Sequence, residues 1–245
     1  MRFQDQVVIV TGAAGGIGLA TAQRFAREGA RVVLADRDPN KGAAAAETLR
    51  AAGAVDVLPV PCDVGSEADV ERCVQQALAR FGRVDVVVNN AGTMIFKPIE
   101  EHVEADLLHV MRVDLFGAIW FTKQLFLHGR PGGSVVNVSS VHAVETTPLV
   151  AAYAAAKAAL GSFTRSAAIE GKPKGIRVNA VLPGAIETPM LRENPNVKSG
   201  AEVIDPADVG QPVDVAAAIA WLASAEAAFV TGAELRVDGG RLARL

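Results

Sequence analysis

Tyr153 is the only tyrosine in the chain, and Lys157 follows it four positions later in the run A-A-Y-A-A-A-K-A-A-L from Ala151 to Leu160. On an α-helix, residues four apart lie one above the other on the same face. A phenol ordinarily titrates near about pH 10, and a neighbouring ammonium favours its ionised form. Such a pair can give a proton to a carbonyl or take one from an alcohol. The same spacing also fits a packed tyrosine and a surface lysine on an alanine-rich helix. The elements that would have to present the pair decide between the two readings.

Those elements alternate. Val7–Val10 is a short β-branched run of the kind that fills a strand buried on both faces. It leads into T-G-A-A-G-G-I-G, Thr11 to Gly18, and then into the helical pattern L-A-T-A-Q-R-F-A-R-E-G, with Gly29 as a C-cap. A strand, a glycine-rich turn and a helix are the parts of a dinucleotide site, because the turn lets backbone approach a pyrophosphate at the helix N-terminus. Arg31–Ala35 reads as the second strand, with Asp36 at its end. A carboxylate there accepts hydrogen bonds from ribose hydroxyls and repels a 2′-phosphate. Arg37, next to it, could instead bind that phosphate, whereas Ala13 and Ala14 in the turn add no second cation.

Beyond this unit the chain reads helix Asn40–Ala52, strand Val55–Val60 and helix Ser66–Phe81, the last with Ser66 and Asp69 at capping-box spacing. Strand Val84–Val88 follows, then two helical segments within Glu100–His128 and strand Ser134–Val138. Helix Val150–Glu170, strand Ile176–Val181, helix Val213–Ala223 and strand Glu234–Val237 complete the pattern. The alternation predicts an α/β fold, a doubly wound parallel sheet with helices on both faces. Gly12, Asp36, Asp63, Asn90, Ser140 and Pro183 fall at strand C-terminal ends, the sheet edge where ligands bind in such folds.

Composition narrows the class. A chain of 245 residues, half of them hydrophobic, can bury a large core, and a formal charge of −3 argues against a nucleic-acid binder. Cys62 and Cys73 have neither metal spacing nor a disulfide framework and read as reduced thiols of a cytoplasmic protein, with no metal site expected. No uncharged apolar run reaches the roughly 18 residues of a membrane span, and Asp5 with the Gly12–Gly18 cluster argues against a signal peptide.

Taken together, T-G-x-x-x-G-x-G, N-N-A-G and Y-x-x-x-K, in that order, resemble the short-chain dehydrogenase/reductase family from about Val7 to Gly240. The resemblance implies a single-domain Rossmann-type fold over residues 1–245 that binds NAD(H). Gly12, Gly16 and Gly18 would line the pyrophosphate, with Ile17 at the helix start. Asp36 would read the adenosine ribose, Asp63 and Val64 the adenine, and Asn90, Ala91 and Gly92 would lie beside the adenosine. Ser140, thirteen residues before Tyr153, matches the family serine, rather than Ser139. Ser140 would hold the substrate oxygen and Tyr153 would exchange its proton. Lys157 would lower the phenol's pKa and hold the nicotinamide ribose. Pro183, Gly184, Ile186 and Thr188 would receive the nicotinamide.

Three departures stand out. Asp114 occupies the place where the family usually has an asparagine whose main-chain carbonyl holds a water in a proton relay. Aspartate keeps that carbonyl, loses an amide donor and adds a charge that must be solvated, paired or protonated. The run Ser140-Val141-His142-Ala143 lacks a glycine that the family often has. Met190–Pro212 matches the family pattern poorly, and about residues 188–212 read as a mobile lid.

Substrate-facing candidates are largely apolar: Met94, Phe96, Val141, Thr147, Leu149 and Val150, with Ala185, Met190 and Leu191 from the later loops. His142 is the one among them with acid–base chemistry, although a solvated loop histidine fits it as well. His102, His109 and His128 fall in helices without metal spacing, and Asp205 with Asp208 reads as turn capping. The expected activity is hydride transfer between NAD and a secondary alcohol or ketone such as a polyol, sugar, steroid or small cyclic alcohol. A 3-oxoacyl-carrier-protein reductase using NADPH is the nearest alternative, disfavoured by Asp36, and a catalytically silent dinucleotide sensor is another. The resemblance also implies a homotetramer through helices around Leu107–Leu127 and Val150–Ile169. Ala154, Ala155, Ala158 and Gly161 would permit close helix approach there, or equally close packing within one subunit.

Overall fold

A computed structural model describes residues 1–243. Strands β1 (Val7–Thr11), β2 (Arg31–Asp36), β3 (Asp56–Pro61), β4 (Val86–Asn89), β5 (Ser134–Val138), β6 (Arg177–Pro183) and β7 (Glu234–Val237) form one sheet in the order β3-β2-β1-β4-β5-β6-β7. Every pairing is parallel. The helices α1 (Gly16–Arg27), α2 (Pro39–Ala51), α3 (Glu67–Phe81), α4 (Glu104–Met111), α5 (Gly117–His128) and α6 (Ala151–Gly171) alternate with the strands, and α9 (Pro212–Ala223) precedes β7. The doubly wound reading of the sequence is therefore the architecture found.

The core follows from the period of a strand. Successive side chains point to opposite faces of the sheet. Val8 and Val10 of β1, with Val32 and Leu34 of β2, pack on Phe25 of α1, Leu49 of α2 and Ile219 of α9. Their immediate neighbours Val7, Ile9, Val33 and Ala35 pack into the other layer, with Val74 of α3, Phe121 of α5 and Ala167 of α6. Both faces are apolar, so the strands read as continuous hydrophobic runs rather than alternating ones.

Several boundaries differ from the sequence reading for identifiable reasons. β4 begins at Val86 rather than Val84, because the buried Asp85 carboxylate accepts a hydrogen bond from the Val7 amide at 2.8 Å and is held by Arg83. The region 100–128 contains the two expected helices, but they are joined without a break by a π-helical turn, Arg112–Phe116, that carries Asp114. The α1 helix ends at Arg27 with Glu28 as its C-cap, and Gly29 follows in the left-handed region at φ 93°. Residues 188–212 hold the short helices α7 (Pro189–Arg192) and α8 (Pro195–Lys198) and a 3₁₀ turn at Pro206–Asp208. Asp205 caps that turn by accepting from the Ala207 amide at 2.9 Å. Asn196 Nδ2 donates to the Pro148 carbonyl at 2.9 Å, and Ile186 bridges to Gly210. No described helix is long and apolar enough to cross a membrane.

Arg177 fastens β6 to the end of α9. Its guanidinium donates to the carbonyls of Leu222 at 2.6 Å, Ala223 at 3.0 Å, Ser224 at 3.0 Å and Val230 at 3.3 Å. The carbonyls of Leu222, Ala223 and Ser224 are the orphan carbonyls of the α9 C-terminus, where a cation is also favoured by the helix dipole. Arg177→Met should lower stability by about 2–4 kcal/mol, because the carbonyls lose charged partners while remaining largely covered. Urea unfolding of both proteins measures this, and an unshifted midpoint would refute the assignment.

Candidate active site

The glycine turn is shaped by contacts that admit no side chain. Gly12 and Gly16 sit at φ 60° and 52°. A Cβ on Gly18 would lie 2.1 Å from the Gly12 carbonyl oxygen, so α1 can approach the turn only with glycine there. The start of α1 has a glycine cap, Gly15, with no side-chain hydrogen bond and no acid in its first turn. Its amides and positive dipole end are free for an anion. Asn90 braces this turn: its Nδ2 donates to the Thr11 carbonyl at 2.8 Å and to the Gly12 carbonyl at 3.2 Å. The Asn90 and Ala91 amides both donate to Thr11 Oγ1 at 2.9 Å.

One cleft runs from this turn toward β2. Asp36, Asp63, Val64, Ala91 and Gly92 line it. Asp36 accepts from the Ala14 amide at 2.9 Å and the Asp38 amide at 3.1 Å, which fixes the carboxylate at the rim. Asp63 Oδ1 accepts from the Gly65 amide at 2.9 Å. Arg37 also lines this cleft, together with Lys41 and His109. Lys41 is a second cation that the sequence reading did not weigh. Its only sequence signal is its place at the start of the helix that follows Asp36.

A second cleft, with about 310 Å³ of free space, shares Gly12, Ala91 and Gly92 with the first. Gly16, Ile17, Asn90, Pro183, Gly184, Ile186 and Thr188 line its inner side. Gly184 lies so close to the chain that a Cβ would meet the Asp238 Cα at 2.8 Å. Turn, cradle and carboxylate together fit an elongated dinucleotide with its diphosphate on α1. Among the described residues no cluster of His, Cys, Asp and Glu could hold a metal ion.

At the far end α6 presents Tyr153 and Lys157, 6% and 3% exposed. Lys157 Nζ lies 5.5 Å from the phenol ring centroid, donates to the Val138 carbonyl at 2.9 Å and stands 3.2 Å from Asp114 Oδ1. Asp114 Oδ2 accepts from the Thr93 amide at 3.0 Å. The two adjacent serines have different partners. Ser139 Oγ donates to the Lys157 carbonyl at 3.0 Å and so serves the helix, whereas the Ser140 hydroxyl faces the Tyr153 phenol and accepts from the His142 amide at 3.1 Å.

Burial pushes the Tyr153 phenol above its ordinary value; Lys157 pulls it down and Asp114 pushes it further up. The lysine's influence has the expected sign, but burial outweighs it, so the expected net lowering is not found. Burial also raises the Asp114 carboxyl, against the pull of Lys157. For Lys157 itself, burial disfavours the charge, yet Asp114 and Tyr153 more than offset this and its value is raised.

Met94, Met190 and His142 line the same cleft, with Val141, Ala185 and Leu191. The His142 ring packs edge-on to Tyr153 at 6.0 Å, and burial lowers its pKa, which keeps it neutral near physiological pH. Phe96, Thr147, Leu149 and Val150 are not part of this wall. Thr147 and Pro148 instead meet Asn196, and Val150 is buried beneath the start of α6. In their place stand Asn194, Glu202, Ile204 and Arg241, with Glu202 and Arg241 forming an ion pair. Nothing local in the sequence joins positions 202 and 241; only the folded chain does.

A family model described as enoyl-(acyl carrier protein) reductase matches residues 12–241. A 3beta-hydroxysteroid dehydrogenase 1 of Eggerthella lenta is 40% identical, over 97% of this chain and 94% of its own. The crystal structure of a short-chain dehydrogenase/reductase from Burkholderia xenovorans superposes with a TM-score of 0.91 at 39% identity, covering 100% of this chain and 99% of that one. A 3-ketoacyl-(acyl-carrier-protein) reductase from Brucella melitensis, complexed with NADH, has a TM-score of 0.88 at 35% identity over 98% and 99% of the two chains. Among further structural neighbours, a short chain dehydrogenase from Burkholderia cenocepacia is in complex with NADP.

Proposed function

The chain belongs to the short-chain dehydrogenase/reductase family, and on that premise we propose that it is an NAD-dependent oxidoreductase interconverting a secondary alcohol and its ketone. The observation that carries this reading is the convergence of the Ser140 hydroxyl, the Tyr153 phenol and the Lys157 ammonium at one end of a cleft whose other end is the glycine turn. The bound nicotinamide supplies the hydride acceptor or donor. The protein's own residues manage the oxygen. Ser140 donates a hydrogen bond to the substrate oxygen, and Tyr153 takes its proton in oxidation or returns one in reduction. Lys157 stabilises the phenolate and holds the ribose. The apolar wall around Met94, Val141 and Met190 takes the substrate's carbon skeleton, with neutral His142 as a polar contact. Residues 188–212 act as the lid.

Asp36 supports NAD over NADP, since its carboxylate at the ribose rim repels a 2′-phosphate. Arg37 and Lys41 oppose it, and the carboxylate prevails because it is fixed by two backbone amides. Reduction of a 3-oxoacyl thioester is a second reading, supported by the Brucella melitensis neighbour. Assembly is proposed as a homotetramer. Leu107, Leu108, Leu127 and Ile169 stay 42–75% exposed on α4, α5 and α6. Ala155 and Ala158 lie on the same outward face of α6, whereas Gly161 points inward, where a Cβ would meet Glu234 at 2.9 Å. Such a face is what a subunit interface covers.

A panel of secondary alcohols and one 3-oxoacyl thioester, assayed with each cofactor by nicotinamide absorbance, tests the reading. NAD(H) should give the higher kcat/KM, and equal or better use of NADP(H) would overturn the cofactor assignment. Tyr153→Phe should lower turnover by about 10² to 10⁴-fold while leaving NAD binding intact; near-normal turnover would remove Tyr153 from the chemistry. Light scattering should report four subunits at micromolar concentration, and a monomer would refute the interface.

A further inference from the structure

Asp114 is a carboxylate in the wrong place for a surface charge. Its side chain has no exposed surface, and that of Lys157 is 4% exposed. A buried charge survives only with compensation, and removing one partner of such a pair is costly. The compensation is all local. Oδ1 lies 3.2 Å from Lys157 Nζ, and Oδ2 takes the Thr93 amide at 3.0 Å. The π-helical turn Arg112–Phe116 carries the residue inward between α4 and α5, a local widening of the kind that often marks functional sites. Gly92 leaves the room: a Cβ there would come within 2.8 Å of Asp114 Oδ1 and 3.5 Å of Lys157 Nζ.

We propose that Asp114 is a positioning residue of this site that acts through its carboxylate, gripping the Lys157 ammonium directly and shielding Tyr153 from part of its positive charge. The inference rests on the dehydrogenase reading above for its meaning in turnover, though not for its test. Lys157 gives one proton to the Val138 carbonyl and stands in ion-pair contact with Asp114, which leaves donors for the ribose or the phenol. The carboxylate makes the lysine–aspartate pair neutral, so Tyr153 must ionise beside a compensated cation rather than a free one. The groups that face Asp114 are Lys157 and Tyr153 from α6, His109 from α4 and the Thr93 amide from the segment after β4. Of these only Lys157 is a fixed cation. The pH at which Tyr153 passes from proton donor to proton acceptor is therefore set higher than a neutral amide at position 114 would set it. In reduction, hydride adds to the carbonyl carbon, the C=O π bond opens, and the phenol proton goes to the oxygen. Solvent then reprotonates the phenolate, so the overall change is ketone, NADH and one proton to alcohol and NAD.

Because Tyr153 is the only tyrosine, the ultraviolet difference signal of its phenolate reports this site alone, without substrate or cofactor. Asp114→Asn keeps the side-chain size and the main-chain carbonyl and removes the charge. The Tyr153 midpoint should fall by about one pH unit or more in this variant. The pH profile of alcohol oxidation should move in the same direction, and Asp114→Glu should restore much of the higher midpoint. An unchanged midpoint in folded Asp114→Asn overturns the proposal. If that variant does not fold, Asp114→Ser serves as a second neutral variant. A protein inactive on every alcohol and ketone would sink the dehydrogenase reading instead, while the titration would still decide the clamp.

Discussion

A lysine ammonium almost closed to water has to be compensated by the protein, and compensating Lys157 ties together three separate parts of this chain. The Val138 carbonyl comes from the end of β5, the Asp114 carboxylate from the turn between α4 and α5, and the phenol ring from the same helix one turn back. Each is also fixed from behind. Asp114 is held by the Thr93 amide, and the α6 backbone is held by Ser139, whose hydroxyl binds the carbonyl of Lys157 itself. The chemistry-bearing atoms therefore sit on rigid elements, and the sheet edge, the π turn and the long helix have to be in register for the site to exist at all.

The other end of the cleft is organised by absence of side chains rather than by charge. Gly12 and Gly18 let α1 approach the strand end, and Asn90 spans from β4 to hold the turn's carbonyls. The two ends share Gly12, Ala91 and Gly92 as a common wall. Gly92 faces Asp114 and Lys157, so the backbone shared by the two clefts also makes room for the lysine pair.

Much of this was legible from sequence, and the reason is locality. A β-branched run followed by glycines, or a tyrosine and lysine four apart on a helix, states its geometry within a few residues. The alternation of strands and helices was readable for the same reason, and it yields the parallel sheet found. What escaped was set by distant contacts. The π turn at Arg112–Phe116 has no periodicity of its own, so two helices read as separate segments. Glu202 and Arg241 meet only because β7 returns the chain to the cleft. The direction of the Tyr153 shift depended on how much water the fold excludes, which spacing does not encode. Thr147, Leu149 and Val150 looked substrate-facing by their place near Tyr153, but Asn196 draws that loop toward α8.

The division of each strand between two helical layers bears on how such a chain can change over evolutionary time. Slipping the whole of β1 by one residue would move Val8 and Val10 from the α1 layer to the α3 layer and reverse their neighbours as well. Both layers are apolar, so hydrophobicity alone would tolerate the exchange, but the side-chain shapes facing α1 and α3 would no longer match. The turn after the strand would also shift against the start of α1, where the Gly12–Gly18 contact leaves no slack. Insertions and deletions are therefore confined to the connections. Residues 188–212 contribute no side chain to either core layer, so length can vary there while the sheet keeps its count.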